Sequence, residues 1–118
     1  MEDVCIFCKI VREEIPCEKI WENEDFLAFL DANPVGEGHT LVIPREHFDR
    51  LEDLDDIISL GYVKAIIEVG KILMERCKCE SFNVVLNNGK SAGQVVGHVH
   101  FHLLPRKEGD NQQGIFIG

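Results

Sequence analysis

The chain has 118 residues, of which 45% are hydrophobic, so it has room for a substantial core, and we expect a single domain over residues 1–118. Lys and Arg number 12 against 21 Asp and Glu, and the net charge of −9 argues against binding of nucleic acid or of an anionic membrane by the bulk surface. The sequence shows neither a signal-peptide pattern nor an apolar run long enough to span a bilayer, which predicts a cytoplasmic protein.

The first motif along the chain is a pair of cysteines, Cys5 and Cys8, separated by two residues. The chain has five cysteines, an odd number, which without an export signal favours reduced thiols or metal ligands over a disulfide framework. A pair with this spacing can supply two thiolates to a tetrahedral zinc ion, and His47 and His98 are candidates for the remaining ligands. The alternative is a redox pair, although no strand precedes the motif as one does in a thioredoxin-type unit.

Turns and apolar periodicity predict the remaining elements. Strands are expected where short apolar segments lie between polar turns, at residues 18–22, 26–30, 39–43 and 82–87. One long helix is expected from near Asp55 to near Cys77, because apolar residues recur there at helical spacing. These apolar residues are Ile57, Ile58, Val63, Ile66, Ile67, Leu73 and Met74. Strands outnumber helices and the turns are short, so the sequence predicts an α+β fold.

Three histidines alternate with bulky apolar residues in the last predicted strand, residues 97–105. Alternate side chains of a strand share a face, so His98, His100 and His102 would line one side at intervals of roughly 6.5 to 7 Å. A neutral imidazole is a competent nucleophile at pH 7, and a protonated one can donate to a phosphate or a leaving group. The row therefore suits covalent catalysis at phosphorus, and the alternatives are a solvated strand face or a surface metal tract.

The alternating motif at residues 98–104 resembles the signature of the histidine triad family, a superfamily of nucleotide hydrolases and transferases. The other segments that match the family are Phe29-Leu30-Asp31, residues 38–44, Asn87 and Ala92-Gly93-Gln94. The resemblance implies an α+β domain with a mainly antiparallel five-stranded sheet, one long helix and a short N-terminal helix. It also implies a homodimer that attacks the α-phosphate of a purine nucleotide, an adenosine derivative.

The same resemblance implies roles for individual residues. His100 would be the nucleophile that forms a nucleotidyl intermediate, His102 would contact the phosphate and assist the leaving group, and His39 would support the site. The nucleotide contacts that it implies are Asp31 for the ribose, Asn87 and Gln94 for the phosphate, and Phe7, Ile10, Phe29 and Leu41 for the base. From the residues alone, the four apolar positions are better explained as ordinary core.

Some histidine triad proteins that this sequence resembles bind structural zinc. Their ligands are the cysteine pair, a histidine after the Ile-Pro strand and the first histidine of the triad. The corresponding residues here are Cys5, Cys8, His47 and His98. By that likeness His98 would be a zinc ligand and not a catalyst, so the three histidines would have different roles.

The resemblance leaves the substrate open. Members that act on phosphoramidates often carry a serine directly after the glutamine, whereas Val95 follows Gln94 here. Residues 104–110 instead resemble the branch that cleaves dinucleoside polyphosphates, although the cysteine pair is typical of the other branch. We expect a hydrolase of adenosine phosphoramidates or dinucleoside polyphosphates. The alternatives are a nucleotidyltransferase with the same intermediate and a nucleotide-binding adaptor whose turnover is incidental.

Overall fold

A computed structural model describes residues 4–110, so both ends of the expected 1–118 domain lie outside the described residues. The predicted α+β fold is confirmed: the described residues contain a five-stranded antiparallel sheet in the order β1-β2-β3-β5-β4 and two α-helices. The elements are α1 (Ile6–Val11), β1 (Lys19–Glu22), β2 (Phe26–Leu30), β3 (Thr40–Pro44), α2 (Asp56–Cys77), β4 (Ser81–Leu86) and β5 (Phe101–Arg106). Over residues 4–110, neither helix is long and apolar enough to cross a membrane.

The two helices cover opposite faces of the sheet. One core cluster contains Phe26, Val42 and Leu103 together with buried residues of α2. The other contains Leu27, Leu41 and further strand residues that pack against α1. Because successive strand residues point to opposite faces, neighbours such as Leu41 and Val42 contribute to different clusters. The face under the short helix α1 is therefore the one that also carries His102 of β5, which pairs with Leu41.

Helix α2 has the predicted bounds, and only some of its apolar residues are buried. The Asp55 carboxylate caps the start by accepting from the Ile58 amide at 2.9 Å, and Lys78 ends the helix in the left-handed conformation, with φ of 52°. The side chains that face the sheet are Ile58, Tyr62, Ala65, Val69 and Leu73. Ile57, Val63 and Ile67, which recur at helical spacing, lie away from the sheet and are 76%, 61% and 48% exposed. Apolar residues occupy two sides of this helix, and the sheet covers one of them.

The predicted histidine strand at residues 97–105 begins later than expected. Strand β5 starts at Phe101, so His98 and His100 precede it. Residues 97–100 turn toward a neighbouring loop instead, where the Val99 amide donates to the carbonyl of Phe48 at 2.7 Å. The alternation of faces nevertheless persists, since Val99 lies in the core under α2 and the imidazoles lie on the other side.

Candidate functional site

His100 is oriented by its own backbone. Its Nδ1 lies 2.8 Å from the carbonyl oxygen of His98, and a carbonyl only accepts hydrogen bonds, so Nδ1 carries the ring proton. In the neutral imidazole Nε2 is therefore the unprotonated nitrogen, which carries the lone pair. The side chain is 3% exposed and borders a cavity of about 690 Å³. The sequence and fold thus place a nucleophilic nitrogen at a cavity wall.

His102 is fixed by a chain of hydrogen bonds that runs through His39. The Val35 amide donates to His39 Nδ1 at 3.2 Å, so the His39 proton sits on Nε2. That nitrogen lies 2.9 Å from His102 Nδ1 and donates to it, which places the His102 proton on Nε2. Burial lowers the pKa of His39, which keeps this imidazole neutral. His102, which also borders the cavity, therefore carries a donor nitrogen, and its ring lies next to that of His100.

The cavity has an apolar body and a polar end. Its apolar lining includes Phe7, Ile10, Phe29 and Leu41, the four residues that the family resemblance assigns to a nucleotide base. The same four side chains belong to the core cluster under α1, so the core interpretation of the sequence also describes them. The polar end is formed by Asp31, His100 and His102. The size and lining suit a small ligand with one flat apolar part and one charged part.

Asp31, the expected ribose contact, lines the cavity beside His39. Its side chain is partly buried at the cavity, Oδ2 lies 3.6 Å from His39 Nε2, and Oδ1 accepts from the amide of Asn33 at 2.9 Å. An ionised carboxylate has about four acceptor positions, so these contacts leave capacity for hydroxyl donors. The structure brings Asp31, His39, His100 and His102 together, as the sequence resemblance implies.

Gln94 and Asn87 are placed differently from the other expected nucleotide contacts. The side-chain oxygen of Gln94 accepts from the Gly89 amide at 2.7 Å, and its nitrogen donates to the carbonyls of Asp49 at 2.7 Å and Val96 at 2.9 Å. These bonds make Gln94 a clamp that joins the loop after β3 to the loop between β4 and β5. Neither Gln94 nor Asn87 is among the residues that line the histidine cavity. Whether either touches a phosphate stays a prediction.

Cys5, Cys8, His47 and His98 converge into one cluster whose possible ligand atoms all lie within 4.8 Å of one another. Cys5 is the N-cap of α1 and Cys8 lies in its first turn, so the short helix presents both thiols at one end. His98 Nδ1 lies 3.4 Å from Cys5 Sγ, and His47 Nδ1 lies 3.2 Å from Cys8 Sγ. Sulfur and nitrogen ligands of tetrahedral zinc are about 3.5 Å apart, so the cluster fits this ion.

The two imidazoles of this cluster are held with their Nδ1 lone pairs toward the thiols. His98 Nε2 donates to the carbonyl of Pro44 at 2.9 Å, and His47 Nε2 donates to Asp49 Oδ1 at 2.6 Å. Metal-bound imidazoles are commonly oriented by such acceptors. Burial lowers the pKa of His98 to about 4, which keeps it neutral as a ligand must be. Asp49 was not singled out from the sequence, although its position two residues after His47 was a usable signal.

The fold and the site define a class of protein: an α+β domain with a histidine-lined small-molecule cavity next to a cysteine–histidine cluster. The chain belongs to the HIT domain family, because the family model of that description matches residues 12–109. It is 41% identical to adenosine 5'-monophosphoramidase HNT1 of Saccharomyces cerevisiae, over all of this chain and 71% of that protein. It is 38% identical to adenylylsulfatase HINT3 of Arabidopsis thaliana, over 93% of this chain and 56% of that protein.

A solved structure that contains zinc has the same fold. A zinc-bound histidine triad family protein from Mycobacterium smegmatis superimposes with a TM-score of 0.88 at 36% identity. The match covers 94% of this chain and 81% of that chain. The likeness to HIT-family structures thus extends over almost all of the sequence.

Proposed function

We propose that the protein hydrolyses the α-phosphate linkage of adenosine nucleotide derivatives through a covalent nucleotidyl-His100 intermediate. The observation that carries the proposal is the pair of opposite tautomers at one cavity. His100 has its lone pair on Nε2 and His102 has its proton on Nε2, while the two ring centroids are 5.0 Å apart. A nucleophile and a donor are therefore arranged side by side. The names of the yeast and plant relatives support an adenosine nucleotide as substrate.

The chemistry follows in two displacements. His100 Nε2 attacks the α-phosphorus, and the bond to the leaving group breaks with its electron pair on the departing atom. The Nε2–H of His102 donates a hydrogen bond to that atom: an oxyanion leaves with the electron pair as its charge, whereas an amine takes the proton from His102 as it leaves. Water then attacks the phosphorus and loses a proton, to His102 where an amine has left and to solvent where an oxyanion has left. The P–Nε2 bond breaks, which releases the nucleoside monophosphate and restores His100. Asp31 would hold the ribose, and Phe7 with its apolar neighbours would cover the base.

Substitution of His100 by Ala tests this mechanism. Because the variant lacks the attacking nitrogen, we expect hydrolysis of an adenosine phosphoramidate to fall by at least about a thousandfold, while the Kd of AMP changes by less than about fivefold. Exposed Lys107→Ala is the control and should retain full activity. Full turnover by His100→Ala would refute the covalent mechanism.

Two other outcomes would identify the alternative functions. If the unaltered protein transfers AMP to an acceptor other than water, it is a nucleotidyltransferase. If it binds the nucleotide without turnover, it is an adaptor.

We also propose a structural zinc ion held by Cys5, Cys8, His47 and His98. When bound, the ion would supply a covalent tie between α1 and the loops that carry the two histidines, and it would take no part in the displacement. The fit rests on the Sγ to Nδ1 distances of 3.4 and 3.2 Å and on the two anchored imidazoles. Metal analysis of protein purified without chelator should give about one zinc ion per chain, and protein without bound metal would contradict the proposal.

A homodimer completes the proposed functional form. Helix α2 carries an exposed apolar stripe opposite its buried face, formed by Ile57, Leu60, Val63 and Ile67. Strand β4 is at the edge of the sheet beside this helix and exposes 46% of Val84. A second copy would cover both features, since an exposed stripe of this kind and an open strand edge favour association.

A further inference from the structure

His100, the proposed nucleophile, lies beyond the paired part of strand β5. The pairing of β5 with β3 and with β4 ends at Phe101, so residues 98–100 lie outside both pairings. The carbonyl of His98 nevertheless orients the His100 ring, because it accepts the hydrogen bond from His100 Nδ1. The contacts that hold this carbonyl in place therefore decide which nitrogen of His100 carries the proton.

The His98 carbonyl belongs to the peptide group between His98 and Val99. The amide of the same peptide group donates to the carbonyl of Phe48 at 2.7 Å, while its carbonyl accepts from His100 Nδ1 at 2.8 Å. Because a peptide group is planar, the bond to Phe48 fixes the direction in which the His98 carbonyl points. The tautomer of His100 thus depends on how residues 48 and 99 are held relative to each other.

The cysteine–histidine cluster lies next to both partners of this hydrogen bond. Phe48 directly follows His47, and Val99 directly follows His98. The two imidazole rings lie with their centroids 4.9 Å apart. Cys8 Sγ is 3.2 Å from His47 Nδ1 and 3.6 Å from His98 Nδ1, so one ion bound to this thiolate would reach both rings. Such an ion would fix the segments of residues 47–48 and 98–99 relative to each other.

A second contact leads from the cluster to the nucleophile. Phe7 lies between Cys5 and Cys8 at the start of α1. Its ring packs edge-to-face on the rings of His98 and His100, with centroid distances of 5.8 and 5.1 Å. Aromatic rings prefer this arrangement, so the contact favours one orientation of each imidazole. The cluster is therefore connected to His100 on two sides, through the peptide group and through α1.

We propose that His47 and His98 are positioning residues, which hold the His98–Val99 peptide group by binding one metal ion and so fix the tautomer of His100. The inference rests on the proposed function, since it concerns the nucleophile of that reaction. None of the four cluster residues lines the histidine cavity, so the metal acts without touching the substrate. Without the metal, the two segments move apart more easily and His100 exchanges between its neutral tautomers. The tautomer with its proton on Nε2 has no lone pair there for the phosphorus, so the rate falls.

The test removes a metal ligand that lies away from the cavity and then restores it. His47→Ala lacks one ligand, and His47→Cys offers a thiolate in place of the imidazole. The control is Glu46→Ala, at the exposed neighbouring residue. Each protein is loaded with zinc and separated from excess ion. Bound zinc, kcat on adenosine 5'-phosphoramidate and the ¹⁵N shifts of the His100 ring are then measured at neutral pH. The shifts report which ring nitrogen carries the proton, and they are assigned by their absence from His100→Ala.

We expect zinc-loaded wild type to carry the His100 proton on Nδ1. His47→Ala should hold less zinc than wild type and show a mixture of the two tautomers. Its kcat should be lower by about tenfold or more, because small misplacements of a reacting group are costly. His47→Cys should regain the zinc and the single tautomer, with a kcat within about threefold of wild type. Glu46→Ala should match wild type in zinc content, tautomer and kcat.

Three results would overturn the positioning role. The first is a wild type that binds no zinc. The second is a tautomer and a kcat that stay as in wild type after His47→Ala has lost its zinc. The third is a His47→Cys variant that binds zinc without recovering the tautomer, since the change would then arise from the loop and not from the metal.

The ¹⁵N shifts also separate the positioning role from unfolding and from the proposed function. If His47→Ala is unfolded, a chelator is titrated into wild type. The tautomer should then change together with the loss of zinc and before the far-UV circular dichroism changes, and a change that occurs only on unfolding overturns the positioning role. If wild type hydrolyses no nucleotide, the proposed function fails, while the shifts of His100 still decide whether the metal fixes its tautomer.

Discussion

The histidines in this structure differ in which ring nitrogen is anchored. His47 and His98 donate from Nε2 to an oxygen, so the proposed zinc ion would be held by Nδ1. His100 donates from Nδ1, so the proposed attack on phosphorus would come from Nε2. His39 accepts a hydrogen bond at Nδ1 and donates one from Nε2 to His102 Nδ1. The hydrogen-bond partner of each ring, more than the spacing of the motif, thus determines its chemistry.

Asp49 is predicted to tune the metal cluster through His47. Substitution by Asn replaces the charged acceptor of the His47 Nε2–H, so the ring is held less firmly and its Nδ1 becomes less basic. We expect zinc affinity to fall roughly 10- to 100-fold, measured by competition with a chromophoric chelator. Asp25→Asn removes an equal charge from an exposed turn and should change nothing. Equal affinities for the two variants would mean that Asp49 has no orienting role.

The lowered pKa of His39 predicts how stability depends on pH. Burial lowers this pKa, so below about pH 6.5 the unfolded chain takes up a proton that the folded site resists. The contribution of His39 to the free energy of unfolding is therefore largest above about pH 6.5, and it is lost as the pH falls below that value. Urea titrations at pH 7.5 and 5.5 should show a smaller loss of stability for His39→Gln than for wild type. Parallel losses in the two proteins would contradict this account.

At the scale of elements, the sequence predicted whether a segment forms a helix or a strand better than it predicted which of its residues are buried. Both ends of α2 are encoded locally, by the carboxylate cap at Asp55 and by the left-handed Lys78. The buried face was not predictable, because α2 is apolar on two sides and periodicity cannot tell a sheet-facing stripe from an exposed one. The late start of β5 likewise depends on the hydrogen bond from Val99 to the distant Phe48, which no local pattern encodes.

The exposed stripe on α2 leads to a prediction about assembly. Leu60→Glu places a charge on a side chain that is 79% exposed, so the fold of one chain should tolerate it. If a second copy covers this stripe, burial of the charge is costly and the variant should be monomeric where wild type is dimeric. Sedimentation velocity measures the difference. Leu51→Glu, at an exposed leucine outside α2 and β4, should stay dimeric. A dimeric Leu60→Glu variant would place the interface elsewhere.

At the scale of the whole molecule, one face of the sheet packs against α2 and the other carries the candidate site. Helix α2 fills the first face, while α1 closes the second with Phe7 and Ile10, which also wall the histidine cavity. The sequence resemblance located this arrangement residue by residue for the triad, Asp31 and the apolar wall. It did not locate the clamp made by Gln94, because one partner of that side chain, the carbonyl of Asp49, lies 45 residues away in another loop.

This division predicts that the metal cluster supports nucleotide binding from a distance. Cys8→Ser removes a thiolate, so zinc should be lost, and α1, with a span of six residues, has too little helix of its own to stay docked. We expect the loss of zinc to lower Tm by more than about 10 °C. In a domain of this size a loss of about 1 kcal/mol in the free energy of unfolding already lowers Tm by about 4–8 °C. The Kd of AMP should rise at the same time, because Phe7 leaves the cavity wall. Cys79→Ser, outside the cluster, should alter neither quantity. A Cys8→Ser variant that lacks zinc but binds AMP normally would show that the wall persists without the metal.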